Sequence, residues 1–86
     1  MKKIIIYSAS WCPWCRKMKE FLNKLNLEYE ERDVDQNLEW RNELFQKTGQ
    51  MGIPVTIVID NNDKEHLIIG YDPASLMEII SQEKNG

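Results

Sequence analysis

Hydrophobic and polar residues fall into seven blocks along the chain, which predict four strands and three helices. Lys3–Ser8 and residues 54–59 are almost continuously apolar, as is typical of central strands covered on both faces. Residues 27–34 alternate apolar and charged positions, which predicts an edge strand. Residues 64–69 follow a run of Asp and Asn, so we expect them to return as the second strand of a hairpin.

Helical spacing predicts the other three blocks. Apolar residues three and four positions apart mark a helix over residues 13–26, which begins with a proline. A weaker pattern over Leu38–Thr48 predicts a second helix, which Gly49 ends as its C-cap. Asp72 and Pro73 suit the N-cap and the first position of a third helix.

The order β-α-β-α-β-β-α restricts how the strands pair. A helix between the first two strands requires parallel pairing, and the short turn between the last two requires antiparallel pairing. We therefore expect an α/β fold in which helices flank a four-stranded mixed sheet. The length of 86 residues, with no linker-like segment, predicts one domain over residues 1–86.

Composition narrows the class of protein. Hydrophobic residues make up 42% of the chain and charged residues 29%, as is typical of a soluble globular protein. The net charge of −3 does not favour a nucleic-acid partner, and no apolar run approaches the roughly 20 residues of a membrane span. The first apolar run is too short for a signal peptide. Two cysteines cannot build the framework of a small secreted domain, so we expect a cytoplasmic protein.

Cys12 and Cys15 are the two thiols of the chain, and they lie between the first predicted strand and the first predicted helix. At a helix N-terminus, unpaired N–H groups and the helix dipole stabilise a thiolate, the attacking form of cysteine. We therefore expect Cys12 to be an exposed nucleophile. Cys15 shares the apolar helix face with Met18, so we expect it to be more buried, to have a higher pKa and to resolve the mixed disulfide.

The residues around the cysteine pair argue against a zinc site and leave open the role of the basic residues that follow it. A Cys-x-x-Cys pair can be half of a zinc site, but the chain has no second cysteine pair and a single histidine, so no metal site is predicted. Basic residues follow the pair at Arg16, Lys17, Lys19 and Lys24. They form either an ordinary solvated face or a weakly positive rim that favours a thiolate.

Three segments together resemble the glutaredoxin family over nearly the whole chain, and in particular its small bacterial glutaredoxin-like members. They are Tyr7-Ser8 with Cys12-Pro13-Trp14-Cys15, then Thr48-Gly49-Gln50-Met51-Gly52-Ile53-Pro54-Val55, and then Gly70-Tyr71-Asp72. The resemblance implies a thioredoxin-like fold, which the predicted order of elements matches. It also implies a thiol-disulfide oxidoreductase activity.

The resemblance implies a substrate site around the cysteines. Pro54 matches the family's cis-proline beside the active disulfide, and Ile53 would offer its backbone groups to an extended substrate. Trp14 would form a wall of the substrate groove. Trp11 and Pro13 are assigned to the same surface, with simple packing as the alternative for the two tryptophans.

A glutathione site is implied at the start of the last helix. Gly70, Tyr71 and Asp72 match the segment at which the family binds a carboxylate of glutathione, and a helix N-terminus suits a carboxylate. Ile69-Gly70 stands where many members have a Gly-Gly pair. Two external electron donors therefore stay open, which are glutathione and a flavoprotein such as thioredoxin reductase.

The predicted function is that of a monomeric enzyme that reduces protein disulfides or glutathione mixed disulfides through Cys12 and Cys15. No bound cofactor is expected, because the electrons arrive from the external donor. Two rival functions stay open. One is an iron–sulfur cluster carrier, in which two chains hold a cluster through Cys12, and the other is a non-catalytic binding module on the same fold.

Overall fold

The computed structural model describes residues 1–85, with side chains through residue 83, and its seven elements follow the predicted order. The strands are β1 (Lys3–Ser8), β2 (Glu30–Asp33), β3 (Val55–Ile59) and β4 (Glu65–Ile69). The helices are α1 (Pro13–Lys24), α2 (Leu38–Thr48) and α3 (Pro73–Asn85). The last residue of the predicted domain, residue 86, lies outside the described range. None of the helices described is long and apolar enough to span a bilayer.

The four strands form one mixed sheet in the order β2-β1-β3-β4. β1 and β2 are parallel, with Ile5 opposite Glu30, because α1 crosses between them. β3 lies antiparallel to β1 and pairs with β4 as a hairpin. The predicted α/β fold and both strand pairings are therefore confirmed.

Each face of the sheet is covered by a separate apolar cluster. On one face, α1 and α3 pack against the even-numbered side chains of β1. The buried residues of this cluster are Ile4, Ile6, Met18, Leu22, Val58, Ile68 and Leu76. On the other face, α2 packs over Ile5, Tyr7, Val34, Leu44, Val55 and Ile57. Burial of this apolar surface on both sides explains why β1 and β3 are almost continuously hydrophobic.

The predicted strand over residues 27–34 is wrong at its start, because β2 begins only at Glu30. The end of α1 explains the difference. Asn26 adopts a left-handed conformation with φ 56°, its N–H donates to the Asn23 carbonyl, and the Leu27 N–H donates to the Leu22 carbonyl. These bonds close a Schellman-type helix end, so residue 27 completes the helix cap rather than the strand. α1 accordingly ends at Lys24, before the predicted residue 26.

α2 is held by few contacts, in keeping with its weak apolar pattern. Leu44 is its one fully buried residue. Beside it, the Tyr7 hydroxyl donates to Glu43 over 2.8 Å, and Arg32 of β2 pairs with the same carboxylate. Burial, followed by the bond to Glu43, raises the pKa of Tyr7 to about 12, so its hydroxyl remains a donor at neutral pH. Leu44 and the polar network around Glu43 therefore both connect this helix to the sheet.

Candidate active site

The loop between β1 and α1 places Cys12 at the N-cap of α1. Its backbone is extended, with φ −91° and ψ 109°, and Pro13 occupies the first helical turn. The Cys15 N–H donates to Cys12 Sγ over 3.2 Å, which satisfies one of the unpaired donors of the helix N-terminus. Cys12 Sγ therefore lies at the positive end of the helix dipole.

Cys15 lies one turn further along α1 and is fully buried. Burial, followed by the hydrogen bond to Cys12, raises the pKa of Cys15 to about 12, and the charge of Cys12 adds to the effect. Lys19 and a backbone hydrogen bond to Ala9 act in the opposite direction. Both cysteines are free thiols in this structure. The predicted burial of Cys15 and its raised pKa are confirmed.

The expected exposure of Cys12 is wrong, since only 5% of its surface reaches solvent. Ala9, Cys15 and the partly buried Ile53 pack around it as a small apolar cluster. Ile53 comes from the segment before β3, which the sheet brings beside the start of α1. Ile53 and Ala9 therefore shield Cys12 from most of the solvent.

The segment that ends at Pro54 lies against the cysteines. The Ile53–Pro54 peptide bond is cis, as the resemblance implied. The Gly70 N–H donates to the Pro54 carbonyl over 2.8 Å, which ties the start of β3 to the end of β4. Gly70 has φ +83°, a conformation that side chains disfavour, so glycine suits this position.

A shallow cavity of about 280 Å³ lies beside the cysteines, and we call it the substrate groove. It is lined by Trp14, Ile53, Pro54, Gly70 and Tyr71. The rings of Trp14 and Tyr71 are 5.6 Å apart and form one end of it. The structure thus brings together five of the residues that the sequence assigned to this site. Their contact with a substrate stays a prediction.

Trp11 lies away from the substrate groove, although it also flanks the cysteine pair. Its side chain is 67% exposed, and its indole N–H donates to Asp35 over 2.5 Å. Arg41 of α2 holds the other oxygen of Asp35 over 3.0 Å. The pattern of the sequence did not indicate these two partners, because they follow β2 in a different part of the chain. Pro13 is likewise exposed and does not line the groove.

Asp72 is the N-cap of α3, as predicted, and it too lies outside the groove lining. One of its carboxylate oxygens accepts the Ser75 N–H over 3.1 Å, and the other accepts the Ser75 hydroxyl over 2.6 Å. The hydroxyl bond, followed by the N–H bond, lowers the pKa of Asp72. Both oxygens therefore serve the helix end, and a ligand carboxylate here would meet their negative charge.

The cap of α3 leads to a pH-dependent prediction. Because the pKa of Asp72 is lowered in the folded protein, its stabilising effect is complete above the pKa of the unfolded chain and disappears as pH falls through the folded pKa. Asp72→Ala should therefore lower the Tm at about pH 7 but leave it close to that of the wild type at about pH 2. Thermal unfolding followed by circular dichroism measures both values. Glu78→Ala, which removes an exposed carboxylate from the same helix, is the control; equal losses in both variants would contradict the cap.

A polar chain under the cysteines was not predicted. The buried Ser8 hydroxyl at the end of β1 donates to Glu31 over 2.6 Å. The same carboxylate oxygen accepts Lys19 Nζ over 2.7 Å. Lys19 follows Cys15 by four residues, a spacing that puts both residues on the same face of a helix. This part of the arrangement could have been predicted from the sequence. The pairing with β2 depends on the fold.

Comparison with known proteins places the site in a family. The model of the glutaredoxin family matches residues 4–63, which include both cysteines and Pro54. An uncharacterized glutaredoxin-like 8.6 kDa protein in a rubredoxin operon of Clostridium pasteurianum is 35% identical over 79 residues, which cover 92% of this chain and 99% of that protein.

Solved structures of a thioredoxin-like protein and a glutaredoxin are also similar to this chain. The thioredoxin-like protein BC3987 superposes with a TM-score of 0.76 at 28% identity, over 90% of this chain and 99% of that chain. The glutaredoxin of Methanosarcina mazei has a TM-score of 0.72 at 28% identity, over 90% of this chain and 76% of that chain. With its cysteines at the start of α1 and the cis-proline beside them, the chain belongs to the glutaredoxin family of thiol-disulfide oxidoreductases.

Proposed function

We propose that the chain is a dithiol oxidoreductase that reduces protein disulfides, with Cys12 as the nucleophile and Cys15 as the resolving thiol. One observation carries the proposal, the asymmetry of the pair. Cys12 Sγ accepts a hydrogen bond at a helix N-terminus, whereas Cys15 is fully buried one turn later. The first position favours attack on a substrate, and the second allows attack only on a sulfur already bound to Cys12.

The reaction takes two exchange steps. The Cys12 thiolate attacks one sulfur of the substrate disulfide, forms a mixed disulfide and releases the other sulfur as a thiolate. Cys15 then gives its proton to solvent, and its thiolate attacks Cys12 Sγ. This second step forms the Cys12–Cys15 disulfide and expels the second substrate thiolate. Two electrons pass to the substrate, and an external donor returns the chain to the dithiol.

Formation of the mixed disulfide itself favours the second step. Burial is the largest cause of the raised pKa of Cys15, and the hydrogen bond to Cys12 and the charge of Cys12 add to it. The two effects of Cys12 are lost or weakened once Cys12 Sγ is bonded to a substrate sulfur, because Cys12 is then no longer a thiolate. The pKa of Cys15 should therefore fall when the mixed disulfide forms, which favours the second exchange step.

The substrate groove suits protein chains better than glutathione. None of its five lining residues carries a charge, and Trp14 and Tyr71 present aromatic surface to whatever enters. Glutathione has two carboxylates that need donors. One cation stands beside the groove, since Lys17 Nζ lies 4.5 Å from the centre of the Trp14 ring. We therefore propose a flavoprotein of the thioredoxin-reductase type as the electron donor.

The donor and substrate can be tested together. Insulin disulfides and a glutathione mixed disulfide are each supplied with thioredoxin reductase and NADPH, or with glutathione, glutathione reductase and NADPH. We expect insulin to be reduced about tenfold faster with thioredoxin reductase, since one missing charge-assisted hydrogen bond to glutathione costs about 1.5–3 kcal/mol. NADPH consumption measures each rate.

Cys12→Ser supplies the blank for all four assays. Turnover that occurs only with glutathione would contradict the proposed donor while leaving the dithiol chemistry in place. Wild-type turnover no greater than that of the blank in every assay would contradict the oxidoreductase function and favour a binding module.

A further inference from the structure

Lys19 is one of the charged groups that act on Cys15. It follows Cys15 by four residues on α1, so both side chains lie on the helix face that packs against the sheet. Its side chain is only 23% exposed, which is low for a lysine. A cation held in a partly buried position acts more strongly on a neighbouring thiolate than a solvated one does.

A clamp fixes this cation. Glu31 of β2 accepts Lys19 Nζ over 2.7 Å, and the same oxygen accepts the buried Ser8 hydroxyl over 2.6 Å. The bond from Lys19, followed by that from Ser8, lowers the pKa of Glu31, so its carboxylate is charged at neutral pH. Ser8 ends β1 immediately before the loop that carries Cys12. The clamp thus joins α1, β1 and β2.

Few charged groups face Cys15. They are Cys12 at the N-cap of α1, which favours the thiol of Cys15, and Lys19 within α1, which favours its thiolate. From β2, Glu31 faces Lys19 and holds it. The other elements packed against Cys15 supply uncharged groups, namely Ala9 from the loop after β1 and Ile53 from the segment before β3. Once Cys12 is bonded to a substrate, Lys19 is the charged group of this set that still acts directly on Cys15.

We propose that Lys19 is a positioning residue for the resolving step: its ammonium, held by Glu31, which also accepts the Ser8 hydroxyl, stabilises the thiolate that Cys15 forms to attack the mixed disulfide. The proposal rests on the dithiol function above. It separates the two exchange steps, because Cys12 attacks from the helix N-terminus, where its own N–H partner supplies the stabilisation. Loss of Lys19 should therefore slow the second step and leave the first unchanged.

An aromatic disulfide, 5,5′-dithiobis(2-nitrobenzoate), reports the two steps separately. Attack by Cys12 releases one coloured thiolate and leaves a mixed disulfide, and attack by Cys15 on Cys12 Sγ releases the second. Stopped-flow absorbance at a series of pH values then gives both rates. In Lys19→Met we expect the second release to be about tenfold slower at neutral pH, with its pH profile displaced to higher pH by about one unit.

Matched variants distinguish charge from structure. Lys19→Arg keeps the cation and should restore most of the second rate, whereas Lys24→Met removes a positive charge from the last turn of the same helix and should leave both rates unchanged. Circular dichroism establishes that each variant is folded, and Lys19→Gln replaces Lys19→Met if the latter is not. An unchanged second rate and profile, or equal slowing of both releases, would overturn the proposal. Absence of the second release in the wild type would instead refute the dithiol function.

Discussion

Replacing Cys12 with serine should abolish disulfide reduction, with turnover lower by about a thousandfold or more, because a serine hydroxyl does not form the required anion at neutral pH. Replacing Cys15 with serine should stop the reaction after its first step. The hydrogen bond from the residue 15 N–H to Cys12 Sγ comes from the backbone and is retained in that variant. Cys12 should therefore still attack a disulfide and remain trapped in the mixed disulfide.

Mass spectrometry after brief incubation with a protein disulfide measures the difference between the two variants. Cys15→Ser should carry the mass of the substrate on Cys12, and Cys12→Ser should carry none. Both variants replace one cysteine sulfur with oxygen, at positions three residues apart, so each variant is the control for the other. Accumulation of a mixed disulfide on Cys15 in the Cys12→Ser variant would reverse the assigned roles.

Replacing Leu44 with alanine should produce the largest loss of stability that one side chain of α2 can cause. Leu44 is fully buried in the cluster beneath α2, and the other residues of this helix are at least partly exposed. Removing a buried leucine side chain lowers the free energy of unfolding by about 2–5 kcal/mol, depending on how far the cavity collapses. We expect a value near the middle of this range, because Glu43 still binds Tyr7 and Arg32.

Leu38→Ala is the matched control, since it makes the same substitution in the same helix at a position that is 69% exposed. It should change the free energy of unfolding by about 0.5 kcal/mol or less. Urea unfolding followed by tryptophan fluorescence measures both variants. Equal losses would mean that α2 is held by its polar contacts and its helix propensity rather than by burial of Leu44.

The elements of the fold could be predicted because their patterns are local. β1 and β3 are apolar on both faces, and α1 has its apolar residues on one side. The pattern of each segment therefore indicates which of its faces are buried. The boundaries were less predictable. The pattern of residues 27–34 is that of a strand, but the left-handed Asn26 and the bond from Leu27 to Leu22 use its first residues to end α1. A competing local structure therefore shortened β2.

The candidate site was predictable in part, for a similar reason. The position of Cys12 and Cys15 on α1 follows from a spacing of three residues and a proline, which the chain displays directly. Trp11 and Trp14 look equivalent by the same criterion, yet Trp14 lines the substrate groove and Trp11 binds Asp35. The different surroundings of the two tryptophans depend on how the start of α1 is oriented relative to the sheet.

The sequence by itself determined where the candidate redox site of this protein lies, because the order of the two thiols along a helix start depends only on neighbouring residues. The tertiary structure decided what surrounds them. Ile53 packs against Cys12, and Glu31 binds both Lys19 and Ser8, through contacts between residues far apart in the chain. Packing and burial arise from such long-range contacts, so the burial of Cys12 and the pairing of Lys19 with Glu31 appear only in the folded molecule.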